Sequence, residues 1–192
     1  MSVQGSALRI AWPVGAIALV LGGAYAAAAL PVFFWRAGFS TMDWVAGGLL
    51  ASVLILGSAI DLRTFRLPDW VTLPLAVAGI GIAHGLGWGD WQERTLAAGA
   101  GFVMLALARD AYFRWRQRQG LGLGDAKLFA AAGAWTGLAA LPAVLLWACV
   151  LALAAVGVLA ALGRQVTLGT AIPFGPFLAA GTWLVWLYGP PL

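Results

Sequence analysis

Only seven acidic residues occur in the 192-residue chain. Two of them, Asp61 and Asp125, stand directly at the ends of long apolar runs. An ionisable side chain is costly there and by default marks function. Two carboxylates gathered at one membrane edge have an obvious chemistry: one, ionised, takes a proton from water while the other, protonated, polarises a carbonyl. Like charges a few ångströms apart cannot both ionise cheaply, so such a pair would share a proton and titrate as a unit. The helix macrodipole gives Asp125, before a helix, the role of base, and Asp61, at a helix end, that of acid.

The surroundings of Asp125 are distinctive: Gly120-Leu121-Gly122-Leu123-Gly124-Asp125-Ala126-Lys127-Leu128. Glycines there permit close backbone approach. A phosphate-cradling loop is disfavoured, because no Lys-Ser/Thr ending follows and no strand precedes. Asp125 also suits a helix N-terminus as a cap, a role compatible with catalysis. Lys127 would steer Asp125, contact a substrate acid or simply snorkel. Asp61 opens Asp61-Leu62-Arg63-Thr64-Phe65-Arg66-Leu67-Pro68-Asp69. In this segment Pro68 breaks the helix and Asp69 is placed to cap the next one. An ion pair of Asp61 with Arg63 or Arg66 is the plain alternative to catalysis. A third segment, Gly169 to Leu178, puts Pro173, Gly175 and Pro176 at the start of the last apolar run, which calls for a packing or a substrate reason. His84 and Cys149, each the only residue of its type, lie in apolar runs and read as buried packing residues.

The elements that must position these residues are membrane helices. The chain is 62% hydrophobic and 9% charged, against roughly a quarter charged in a soluble domain, which excludes a water-soluble globule. At about 20 residues per crossing the length allows roughly eight spans at most, with no room for a separate soluble domain. Apolar runs extend from Leu8 to Leu30, Trp44 to Ile60, Trp70 to Leu86, Thr95 to Ala108, Lys127 to Ala140, Ala143 to Leu162 and Pro173 to Tyr188. They are continuous rather than alternating, so a β-barrel is excluded. The expectation is an all-α polytopic membrane protein of about seven transmembrane helices, six if the first is a cleaved signal peptide. It would form a single membrane-embedded domain over 1–192, with a core over 44–188 behind an N-terminal helix over 8–30. Pro142 marks a turn between two helices.

The cations orient the chain. With the N-terminus cytoplasmic, one side receives Arg9, Arg63, Arg66, Arg109, Arg114, Arg116, Arg118, Lys127 and Arg164, and the other only Arg36 and Arg94. Basic residues mark the cytoplasmic side, so Asp61 and Asp125 fall on the cytoplasmic edge. Asp43, Asp90 and Glu93 lie opposite, with Trp44, Trp88 and Trp91 placed as interfacial aromatics. The run of Arg114, Arg116 and Arg118 suits anionic lipid headgroups better than nucleic acid. A lone cysteine can make neither an internal disulfide framework nor a four-cysteine metal site.

These residues resemble the type IV prepilin peptidases, membrane aspartic proteases with a Gly-x-Gly-Asp motif. Three segments match in order: Asp61-Leu62 through Leu67-Pro68-Asp69, with Leu67 where Ile is usual; Gly122-Leu123-Gly124-Asp125-Ala126-Lys127-Leu128; and Ile172-Pro173-Phe174-Gly175-Pro176-Phe177. The resemblance implies that Asp61 and Asp125 are the catalytic pair. It further implies that the substrate is the basic N-terminal leader of a type IV prepilin or pseudopilin, cut at the cytoplasmic face of the bacterial inner membrane while the prepilin's hydrophobic helix stays in the bilayer; the two-carboxylate mechanism itself requires no metal or organic cofactor. Larger relatives carry a cysteine-rich zinc-binding insert after the first span and also N-methylate the new terminus. Leu30 to Trp44 contains neither insert nor cysteine, which puts methylation in doubt. Two other classes compete: a transporter or channel with two cation-binding acids, and a noncatalytic scaffold packing through Ala97, Gly99 and Gly101.

Overall fold

The computed structural model describes residues 14–35, 40–117, 120–163 and 172–189. They form seven α-helices and no strand: α1 (Val14–Trp35), α2 (Thr41–Thr64), α3 (Asp69–Gly85), α4 (Trp91–Arg116), α5 (Leu123–Thr136), α6 (Leu141–Ala161) and α7 (Gly175–Tyr188). The order is that of the seven apolar runs, and the protein is an all-α polytopic membrane protein. Among the described residues three segments, Thr41–Thr64, Trp91–Arg116 and Leu138–Ala161, are long and apolar enough to cross a membrane by themselves.

Two of the remaining helices are short, and they are the ones that concern the site. α5 and α7 have 14 residues each, about 21 Å of helix against a hydrocarbon core of about 30 Å. Both are interior. α5 packs on α3, α4 and α7, and α7 on α2, α5 and α6. Phe129, Ala131, Ala134 and Trp135 of α5 are buried, as are Leu178, Ala179 and Leu187 of α7.

Small residues set the helix spacing. A β-carbon on Gly133 would stand 2.5 Å from the Ala97 carbonyl oxygen, and one on Gly101 2.8 Å from that of Phe129, so α4 and α5 touch backbone to backbone. Gly181 does the same for α7 against α6. Ala97 and Gly101 thus have an internal packing role, while Gly99 faces away from the protein. The turn expected at Pro142 lies earlier: α5 stops at Gly137, whose φ of 88° suits glycine, and Pro142 occupies the first turn of α6, where its missing N–H costs nothing.

Two packing expectations are corrected. Cys149 is exposed on α6 and His84 is exposed in the last turn of α3. Each lies in an apolar run, but on the side turned away from the neighbouring helices. Arg9, Arg36, Arg118, Arg164 and Gly169 to Ala171 lie outside the described residues. α1 is bonded onto α7: Trp183 Nε1 donates to the Tyr25 carbonyl and the Tyr188 hydroxyl to that of Ala28. Pro31 lies within α1.

Candidate active site

The three sequence segments meet at one end of the bundle, where α2 ends and α3, α5 and α7 begin. α2 closes at Phe65, whose φ of 53° is left-handed and whose N–H bonds the Asp61 carbonyl. The Thr64 hydroxyl ties Ile60 to Arg66 across this turn. Pro68, extended, then starts α3. This reversal throws Leu67 back over the end of α2, where it is buried.

Asp61 and Asp125 are themselves buried, 5% and 8% exposed. Each carboxylate accepts a main-chain N–H at the start of a helix. Asp125 Oδ2 takes that of Gly122 at 3.1 Å, capping α5 from its first turn. Asp61 Oδ2 takes that of Gly175, the first residue of α7, also at 3.1 Å. Asp61 therefore lies at the end of its own helix and at the N-terminus of another. The asymmetry argued from chain position alone is offset here, because the positive end of a helix dipole faces both acids.

Leu67 joins the two halves. A β-carbon on Gly124 would lie 2.8 Å from Leu67 Cβ and 3.1 Å from its carbonyl oxygen. One on Gly175 would lie 2.6 Å from Asp61 Oδ2 and 2.8 Å from Leu67 Cδ1. Gly124 and Gly175 are glycines because a side chain at either would separate the acid-bearing elements. Pro176 follows in the first turn of α7, which it preorganises. Pro173 is half-buried ahead of that turn.

Asp69 does not cap α3. It is the first helical residue, Pro68 occupies the cap position without a side-chain bond, and the Asp69 carboxylate pairs with Lys127 Nζ at 2.5 Å. Lys127 thus has a protein partner in place of simple snorkelling. Among the described residues no group of three or more His, Cys, Asp or Glu side chains is placed to hold a metal.

Sequence reasoning left three participants without a role. Leu67 entered only as a motif position, and Gly175 acts through its backbone. Arg94, at the opposite end, was counted only as a cation. It is 8% exposed and donates to the carbonyls of Trp135 and Trp88. An arginine in the first turn of a helix opposes the dipole, a signal that could have marked it for tertiary bonding.

A family model described as the type IV leader peptidase family matches residues 48–158. The chain belongs to that family. The match takes in Asp61 and Asp125 and stops short of the segment from Ile172 to Phe177. A prepilin leader peptidase/N-methyltransferase of Burkholderia pseudomallei is 38% identical over 197 residues, covering 100% of this chain and 61% of the relative. A protein of the same name from Aeromonas salmonicida is 37% identical over 151 residues, 78% of this chain and 52% of the relative. Another from Escherichia coli is 42% identical over 89 residues, 46% of this chain and 40% of the relative. The chain thus spans about three-fifths of the Burkholderia relative. No solved structure matches it.

Proposed function

We propose that the chain is a membrane aspartic endopeptidase that removes the basic N-terminal leader of type IV prepilins or pseudopilins, with Asp61 and Asp125 as its catalytic pair. The observation that carries this reading is the convergence of two buried carboxylates, each on a helix-start N–H, at one end of the bundle. The family and the names of its relatives supply the substrate class.

In the reaction the ionised carboxylate takes a proton from water as its oxygen attacks the scissile carbonyl carbon. The protonated partner gives its proton to the carbonyl oxygen. Collapse of the tetrahedral intermediate breaks the C–N bond, the amine leaves with a proton, and the dyad returns to one proton shared between two groups. The backbone N–H groups of Gly122 and Gly175 fix the carboxylates without adding a charge that would hold both ionised.

Arg63, Arg66, Arg114, Arg116 and Lys127 lie at the acid-bearing end, while Arg94 lies opposite. The positive-inside rule therefore favours a site facing the cytoplasm, from the inner membrane of a bacterium. Anionic headgroups are fitting partners for the arginine-bearing end of α4, where Arg116 stacks on Trp115. The acids lie at helix ends rather than at mid-span, which favours hydrolysis over an ion pathway.

The test is co-expression with a prepilin. Leader removal shifts the pilin's size with the wild-type chain, whereas Asp61→Asn and Asp125→Asn should insert at normal levels and leave the precursor uncut. Wild-type cleavage by either variant sinks the assignment.

A further inference from the structure

Lys127 and Asp69 form an inter-helical ion pair at the acid-bearing end. Lys127 lies two residues beyond Asp125 on α5. Asp69 lies two residues beyond Leu67 on α3. Between them run the closest main-chain contacts of the site, Leu67 against Gly124, and the side chain of Leu67 reaches Gly175, whose N–H holds Asp61. Each acid is thus attached, through one short segment, to a member of this pair.

The pair is poorly suited to a purely stabilising role. The Asp69 side chain is 59% exposed and that of Lys127 21%, and such ion pairs contribute little to stability. What a fixed ion pair can do at this place is set distance. It closes the start of α3 onto the start of α5 and keeps Leu67 seated between Gly124 and Gly175. Small displacements of reacting groups cost rate steeply.

We propose that the Lys127–Asp69 pair is a positioning strut that sets the separation of Asp61 and Asp125. Neither residue touches the reacting atoms; both act through Leu67 and the helix starts it separates. The inference rests on the proposed dyad and specifies how that dyad is held.

The experiment is a double-mutant cycle on leader cleavage by the full chain with a purified prepilin. Asp69→Asn and Lys127→Met should each lower kcat roughly tenfold with KM within about twofold. The double variant should be no slower than the slower single, because both remove the same strut. Lys127→Arg, which keeps the charge and the reach, should recover most of the rate. A rise in KM for Asp69→Asn without loss of kcat would make Asp69 a leader-binding acid and overturn the proposal. So would a double variant whose losses multiply, or wild-type kcat in either single. A through-space field effect, equally fatal to it, would shift the pH profile in opposite directions in the two singles, since one deletes a negative and the other a positive charge. If Asp61→Asn and Asp125→Asn prove inactive while the pair variants cleave normally, the strut alone is wrong; if those two cleave, the dyad itself is.

Discussion

At the end of the bundle away from the acids, side chains bond across helices to main-chain carbonyls and to one another. Arg94 of α4 reaches Trp135 of α5 and the carbonyl of Trp88. Glu93 takes the N–H of Leu138, and Trp88 Nε1 donates to Asp43, itself in a capping box with Ser40. Trp183 stacks on Trp186 and on Tyr25, while Trp88 meets Trp135 and Trp186 edge-on or tilted. At the acid-bearing end the helices meet through glycine, one leucine, the Lys127–Asp69 ion pair and single N–H bonds to each carboxylate. One end is locked by large rings and buried donors; the other holds its carboxylates by single N–H bonds, which suits the proposed chemistry. Under the proposed function a prepilin presenting its leader needs access at only one end, and the locked end is what lets the other be sparse.

The largest expected effects fall at the sparse end. Loss of either acid should lower cleavage by about 10³-fold or more, in line with removal of an acid or base. Gly175→Ala and Gly124→Ala should each cost at least about tenfold in kcat, because the new methyl groups meet the Asp61 carboxylate and the Leu67 main chain. Leu67→Ala should not restore Gly124→Ala, since the carbonyl oxygen and nitrogen of residue 67 remain in the way. Full activity in either glycine variant would show that the close approach is dispensable.

At the locked end the same size of structural insult should appear as stability. Arg94→Met leaves two carbonyls without their charged donor and should destabilise by about 3 kcal/mol, read as a lower thermal midpoint in detergent. The kcat of the folded fraction should stay within about twofold. A large kcat loss there would mean that the two ends are coupled. Trp88→Phe, which removes the bond to Asp43 and trims the ring that meets Trp135 and Trp186, should cost at least about 1 kcal/mol.

Two further measurements sharpen the contrast. In a Cys149→Ala background, needed because that thiol is exposed, a cysteine at Arg116 should be labelled from the cytoplasm and one at Asp90 from outside. The reverse would detach the acids from a cytoplasmic leader. Mass spectrometry of pilin matured by this chain with S-adenosylmethionine should find an unmodified amine, because Leu30 to Trp44 lacks the cysteine-bearing insert. A methyl increment dependent on the chain would overturn that expectation.

Hydrophobic continuity by itself determined the helices, since a run that satisfies its backbone in lipid must be helical. The rarity of charge singled out Asp61 and Asp125, because an acid at an apolar edge needs a reason wherever it stands. Breakers at Pro68 and Pro176 likewise showed where helices start, whereas α5 begins at Leu123, ahead of the apolar run read from Lys127. Partners were a different matter, for they depend on contacts between residues distant in the chain. Asp69 looked like a cap until α5 brought Lys127 to it. Cys149 and His84 looked buried because an apolar run does not reveal which side of a helix meets a neighbour. Asp61 appeared to stand at a helix C-terminus alone, and only the packing of α7 against α2 gave it the N–H of Gly175. Composition and spacing decide what each segment must become, whereas the environment of a carboxylate is decided by whichever helix ends the packing places beside it.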